Sequence, residues 1–255
     1  MRKQAQINKK AWEYRAYEHW TNQANANEKA IYIKSNPKAC LRYHQKYFQN
    51  INGLKIANPC GSNGRIAVPL ALLGADVTVF DISDENKRYA LDLAREAGVN
   101  IQYIVGDFCE VDTVKFENSF DIVYAEGGIL HYFSDLKDFT HSLYTITKKK
   151  GLLILSDFHP FRKINASGST MMSVFQLTNG DYFDSQIHAG DVAYQSFFET
   201  DEQKTFPKCS LRYYTLSEII NSLILSGFVI KEFIEHPNFN NKKLPGEFTI
   251  IANKL

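Results

Sequence analysis

The chain of 255 residues has no apolar run of the 18 or so residues that a bilayer-spanning helix needs, so a transmembrane anchor is not expected. Its opening, MRKQAQINKK, lacks the apolar stretch of an export signal. The four cysteines, Cys40, Cys60, Cys109 and Cys209, contain no C-x-x-C pair. A reducing cytoplasm is the expected setting. The seven histidines show no H-x-x-x-H pairing and no cysteine partner at zinc spacing, so no metal site is expected. Neither sign of charge prevails, with 29 Lys and Arg against 28 Asp and Glu, and the longest basic run is Lys148-Lys149-Lys150. That leaves no footprint for nucleic acid or an anionic membrane, and a small-molecule substrate is the expected partner. Also missing are G-x-G-x-x-G, which brings a dinucleotide pyrophosphate onto a helix, and the Gly-Lys-Ser/Thr of a phosphate loop.

What is present is concentrated between Leu54 and Asp81. Leu54, Ile56 and Ala57 read as a strand and Asn58-Pro59-Cys60-Gly61-Ser62-Asn63-Gly64 as a loop of small residues. The apolar run Ile66 to Leu73 reads as a helix closed by Gly74, and Val77 to Phe80 as a second strand stopping at Asp81. A right-handed crossover brings the carboxyl ends of both strands to one edge, so the loop and Asp81 face one crevice. Glycines there let backbone approach a ligand, and a carboxylate at a strand tip suits the two hydroxyls of a ribose. The residues point to a nucleoside without saying which.

The block resembles the first two motifs of the class I S-adenosylmethionine-dependent methyltransferases. That family has an acidic residue followed by three alternating glycines. Counted without gaps, Asn58 takes the acidic place, Cys60 and Ser62 the first two glycines and Gly64 the third; a shift of one residue uses Gly61 instead. The resemblance implies an α/β fold: a Rossmann-like, doubly wound, seven-stranded sheet of order 3-2-1-4-5-7-6, with strand 7 antiparallel. It also implies S-adenosylmethionine as cofactor and S-adenosylhomocysteine as product. The cofactor residues it implies are Asn58, Cys60, Gly61, Ser62, Gly64, Asp81 and Ile82, then Asp107 and Phe108 after the third strand, and Glu126 and Gly127 after the fourth.

The remaining elements fall in order around this block. Residues 1–51 are helical in pattern and rich in rings, and are expected to form a segment in which Trp12, Tyr17 and Trp20 either pack onto the domain or cover the cofactor, since aromatic faces attract a sulfonium. Asn36-Pro37 should open a helix to about Ile51. Residues 52–160 and 215–255 carry the alternating strands and helices of the cofactor domain. Residues 161–214 break the period, with only Val192 to Phe198 strand-like, and read as an inserted substrate cap.

Methyl transfer is an in-line displacement from a good leaving group, so the protein has mainly to orient two molecules and exclude water. A base is needed where the acceptor loses a proton, and His131 and His159, following consecutive strands, are the candidates, each alternatively a structural ring. Candidate substrate contacts are Tyr17, Trp20, Asp157, Tyr194 and Arg212, with Tyr182, Phe183, His188 and Tyr213 beside them in the cap. Whether nitrogen, oxygen or carbon is methylated stays open. So does a second class of reading, a non-catalytic nucleoside-binding or regulatory module, because Asn58, Cys60 and Ser62 depart from the family pattern.

Overall fold

A computed structural model describes residues 1–110, 112–165 and 169–255, with backbone alone at 113–114 and 169–173. Strands β1 (Lys55–Pro59), β2 (Asp76–Asp81), β3 (Gln102–Val105), β4 (Phe120–Glu126) and β5 (Thr147–Phe158) are parallel neighbours. A short ribbon of β6 (Ile187–Gly190) and β7 (Cys209–Arg212) stands apart from them. Strands β8 (Val229–Pro237) and β9 (Pro245–Asn253) complete a seven-stranded sheet of order β3-β2-β1-β4-β5-β9-β8, in which β9 runs antiparallel to both neighbours. Counting only sheet strands, this is the expected order 3-2-1-4-5-7-6.

The inner strands are buried on both faces, which is why they read as near-continuous apolar runs, whereas the edge strand β8 is largely exposed. Alternate residues go opposite ways: Ala57, Phe80, Val123, Leu153 and Leu155 join one core, and Ile56, Val79, Ile122, Tyr124 and Ile154 the other. Three helices precede the sheet, α1 (Lys3–Glu13), α2 (Ala16–Gln23) and α3 (Ala26–Ser35); the crossovers are α4 (Ala67–Leu72), α5 (Asp84–Ala97), a turn of α6 (Thr113–Phe116), and α7 (Leu136–Ile146). Ser83 caps α5 by accepting from Asn86 N, and Gly98 ends it in the left-handed conformation. After β5 come α8 (Ser169–Thr178), α9 (Thr200–Gln203) and α10 (Leu216–Ser226), the last opened by the Thr215/Glu218 capping box that the sequence spells.

Two expectations are corrected. Asn36 does cap the next segment, but Pro37–Tyr47 is a 3-10 stretch broken at Arg42 (φ 49°) and not a straight helix to Ile51. The bend turns both Leu41 and His44 onto the sheet, where His44 is hydrogen-bonded to Tyr124 and Thr249. Val192 to Phe198 is not a strand; Val192 and Tyr194 are apolar because they pack with Ala11, Ala16, Phe206 and Leu211 against the N-terminal helices. The ribbon in that region is β6 with β7, and α8 is a helix where none was expected. Among the described residues no helix is long and apolar enough to cross a membrane.

Candidate active site

The loop after β1 turns sharply, and three of its residues lie in the left-handed region: Cys60 (φ 54°), Ser62 (φ 49°) and Gly64 (φ 78°). These are the three glycine places of the ungapped register, whereas Gly61 has no positive φ. Cys60 and Ser62 therefore adopt a glycine-like backbone at a cost of about 1 kcal/mol each. Hydrogen bonds hold the bend: Ser62 N–H donates to Asp81 Oδ2 at 3.0 Å, and the Tyr103 hydroxyl donates to Ser62 O at 2.8 Å. Gly61 is needed for another reason, since a Cβ there would lie 2.4 Å from Asn58 Oδ1.

A cavity of about 260 Å³ opens over this loop. Asn58, Cys60, Gly61, Ser62, Asp81, Ile82, Asp107, Phe108, Glu126 and Gly127 line it, so ten of the eleven residues expected around the cofactor converge there. Gly64 does not. It faces α5, where an added Cβ would meet Ala90 Cβ at 2.9 Å, so its lack of a side chain serves helix packing. Trp20 also lines the cavity, and its indole N–H donates to Asn86 Oδ1 at 2.8 Å.

The polar groups of this cavity are unequally engaged. Asp81 accepts from Ser62 N, Ser83 N and, at 3.3 Å, Asn86 Nδ2; burial raises its pKa and the two backbone donors oppose that rise. Asn58 Nδ2 donates to Tyr124 O, while its buried Oδ1 has no partner. The Arg2 guanidinium donates to both oxygens of Asp107 at 2.8 Å, and Arg65 pairs with Glu126. Arg2, Ala5 and Asn8 of the N-terminal segment were not foreseen here; Asn8 ties α1 down through Tyr132 O and Ser210.

A second cavity, of about 200 Å³, adjoins the first, and Trp12, Gly127, Gly128, Tyr132 and Ala193 line both. His131 lies on its wall, stacked near Phe158 (6.3 Å between centroids) and Tyr213 (5.8 Å). Burial, then the charge of Arg162, pushes its pKa down to about 3, so the ring is neutral at pH 7. Asp157 and His159 line this cavity too, Asp157 fully engaged and His159 held through Nδ1. Asp157 accepts from Ile129 N and Leu130 N at 2.8 Å and from Phe158 N, clamping the loop after β4; burial still lifts it to about 6. His159 Nδ1 accepts from Phe161 N at 3.1 Å, and Nε2 faces Glu235 Oε1 at 3.0 Å, so the ring braces the turn at the end of β5.

Three expected substrate contacts lie outside both cavities. Tyr17 donates to Asp92 and takes Arg88 over its ring, packing α2 on α5. Tyr194 is core, its hydroxyl donating to Ala11 O and Tyr14 O. Arg212 pairs with Glu218 and lies over Tyr214. Of the further ring candidates only Tyr213 lines a cavity; Tyr182 braces α10, Phe183 is exposed, and His188 pairs with Asp184. Sequence reasoning missed Arg162 and Lys163, whose only signal was their place just after the turn that closes β5.

Residues 59–155 match the family model of a methyltransferase domain, and that span holds the loop, Asp81 and all of β4. Over those residues the chain carries a methyltransferase domain. The structure of magnesium protoporphyrin IX methyltransferase from Synechocystis with bound S-adenosylhomocysteine shares the fold of this domain and its surroundings, with a TM-score of 0.64 at 16% identity over 99% of this chain and 100% of that one. A methyltransferase structure from Methanosarcina mazei gives 0.60 at 20% identity, over 84% of this chain and 98% of that one. In sequence the domain is 30% identical over 119 residues to a ubiquinone biosynthesis O-methyltransferase of Rickettsia conorii, 47% of this chain and 40% of that protein. It is 28% identical over 117 residues to the protein of that name from Rickettsia canadensis, 46% of this chain and 48% of the relative. The chain thus spans less than half the length of these curated relatives. S-adenosylmethionine is the cofactor of this domain family, and the residues here fit it: a carboxylate for hydroxyls, an unpartnered buried acceptor at Asn58 Oδ1, and aromatic walls at Trp12, Phe80, Phe108 and Tyr132.

Proposed function

We propose that this chain transfers the methyl group of S-adenosylmethionine to a small organic acceptor. The observation that carries the reading is the pair of cavities meeting at one wall, of which the first is bounded by the β1 loop and Asp81. Bound S-adenosylmethionine supplies an activated methyl on a cationic sulfur. Asp81 would accept from the ribose, Asn58 Oδ1 from the methionine ammonium, and Arg65 would face the methionine carboxylate. Phe108 and Phe80, edge to face at 5.6 Å, give an apolar bed for the adenine. Since Arg2 already donates to both oxygens of Asp107, the adenine amino group finds an acceptor there only by sharing it.

The acceptor would lie in the second cavity, with its reacting atom at the Gly127-Gly128 wall. Gly128 (φ 77°) has no room for a side chain, since a Cβ would meet Phe158 at 2.3 Å. Neutral His131 can take a proton as the new bond forms, and Asp157 and His159 are assigned to positioning: they fix the loop and turn that shape the cavity. The relatives are O-methyltransferases, which favours a hydroxyl acceptor; its proton becomes strongly acidic as the oxygen is methylated, so a base as weak as His131 can take it.

A ligand that binds only the native state raises the melting temperature by mass action. S-adenosylhomocysteine at about 100 times its Kd should add about 2.7 kcal/mol of stability, a shift of several degrees, whereas NAD should add nothing. Differential scanning fluorimetry reads both. Indifference to S-adenosylmethionine and S-adenosylhomocysteine alike would remove the enzymatic reading and return the nucleoside-binding module to first place.

A further inference from the structure

The second cavity contains a cation that nothing answers. Arg162 follows the turn closing β5, and its guanidinium lies 3.8 Å from the centroid of the Phe158 ring on the cavity wall. Its buried Nε has no hydrogen-bond partner, and among the described residues its side chain makes no ion pair. The acids that attract it from a distance are engaged elsewhere: Asp157 with three backbone N–H groups, and Glu247 with Arg42. Asp191, also on this wall, pairs with Lys208. Next to Arg162, Lys163 is buried, its ammonium donating to Tyr182 O at 3.1 Å. Of the two carboxylates on the wall, Asp157 is used by backbone N–H groups and Asp191 by Lys208, so neither pairs with Arg162 or Lys163.

A buried charge without a partner costs several kcal/mol, and burial lowers the pKa of Arg162 accordingly. A ligand oxyanion would remove that cost. The guanidinium has one face on Phe158, which leaves its N–H edge free for two parallel hydrogen bonds to such a group. Beside it the rings of His131, Tyr213, Tyr132 and Trp12 offer flat apolar surface. An engineered cavity of roughly 150 Å³ admits benzene, so 200 Å³ suits one substituted ring.

Resting on the methyltransferase reading above, we infer that the acceptor is a planar aromatic compound carrying an oxyanion, a carboxylate or a phosphate, held by Arg162. Its reacting group then points to the wall that the two cavities share. Lys163 adds positive field without direct contact, because its ammonium is already turned to Tyr182.

Calorimetric titration of the protein saturated with S-adenosylhomocysteine tests this, using benzoate, phenyl phosphate and benzamide as probes. At least one of the two anions should bind about tenfold or more tightly than the neutral amide, as a charge-assisted pair in a buried site requires. The stronger anion separates a carboxylate acceptor from a phosphorylated one. In Arg162→Met the preference should vanish while S-adenosylhomocysteine binds as before. Equal behaviour of the three probes, including no binding by any, would overturn the inference on the wild-type protein alone. So would a preference that survives in Arg162→Met. Failure of S-adenosylhomocysteine itself to bind would instead bring down the methyltransferase reading on which the inference rests.

Discussion

Asp81→Ala is expected to abolish measurable stabilisation by S-adenosylhomocysteine. A carboxylate has about four lone-pair sites, and three are used within the protein, by Ser62 N, Ser83 N and Asn86 Nδ2. One ribose hydroxyl therefore fits outright, and a second fits where the long Asn86 contact yields. A hydrogen bond to a charged acceptor is worth about 1.5–3 kcal/mol, so losing one weakens binding about tenfold to a hundredfold, and losing both the square of that. Alanine also strands the backbone N–H of Ser62 and Ser83, loosening the loop. Asp81→Asn is the milder variant: it loses the charge and keeps one accepting oxygen, enough for Ser62 N or for Ser83 N and Asn86 Nδ2 but not for both sets. Its affinity should fall about tenfold, with a smaller drop in ligand-free melting temperature than in Asp81→Ala. Unchanged affinity in both variants, read by calorimetry, would place the ribose elsewhere.

The second large effect is on acid stability. His44 is buried between Tyr124 Oη (2.7 Å) and Thr249 Oγ1 (2.8 Å), where the bend at Arg42 delivers it. Burial, then the charges of His236, Arg42 and Lys46, pushes its pKa down to about 4. The unfolded chain binds this proton near pH 6.5 and the native protein only near 4, so the contribution is complete above 6.5 and is lost as pH falls through that window. At pH 5 the loss from this one group is about 2 kcal/mol. His19 and His131 are depressed in the same direction. Asp157, lifted to about 6, acts the other way, since its native form gains a proton first as pH falls. Against a total of about 5–15 kcal/mol, urea denaturation should show a marked drop in stability between pH 7 and pH 5. His44→Gln should reduce that slope by about one proton. Equal stability at the two values would contradict the burial of these rings as neutral groups.

The sheet was legible in the sequence because strands buried on both faces leave runs such as Val77 to Phe80 and Leu152 to Leu155, and because Ser83, Thr215 and the glycines after helices mark element ends locally. The first cavity was legible for a related reason: its loop and Asp81 belong to one contiguous βαβ unit, so their meeting follows from a short crossover. The segments around it were not. Val192 and Tyr194 look like a strand because apolar residues that pack a turn against α1 and α2 carry the same composition as a strand. Tyr17 and Arg212 looked like substrate contacts because partners such as Asp92 and Glu218 depend on how distant elements pack. Arg2 and Arg162 reach their places only through tertiary folding, one across more than a hundred residues to Asp107 and one through the turn after β5. No local pattern announces that an arginine will be left without an anion.

The central claim is that the bend at Cys60–Gly64 and the Asp81 carboxylate hold one adenosine, with the transferable methyl directed to the wall shared with the second cavity. A crystal structure of the protein with S-adenosylhomocysteine tests it most directly. The account predicts ribose oxygens within hydrogen-bond distance of Asp81 and the sulfur beside Gly127 and Tyr132. Ligand density outside this cavity, or a sulfur turned away from the second cavity, would contradict it.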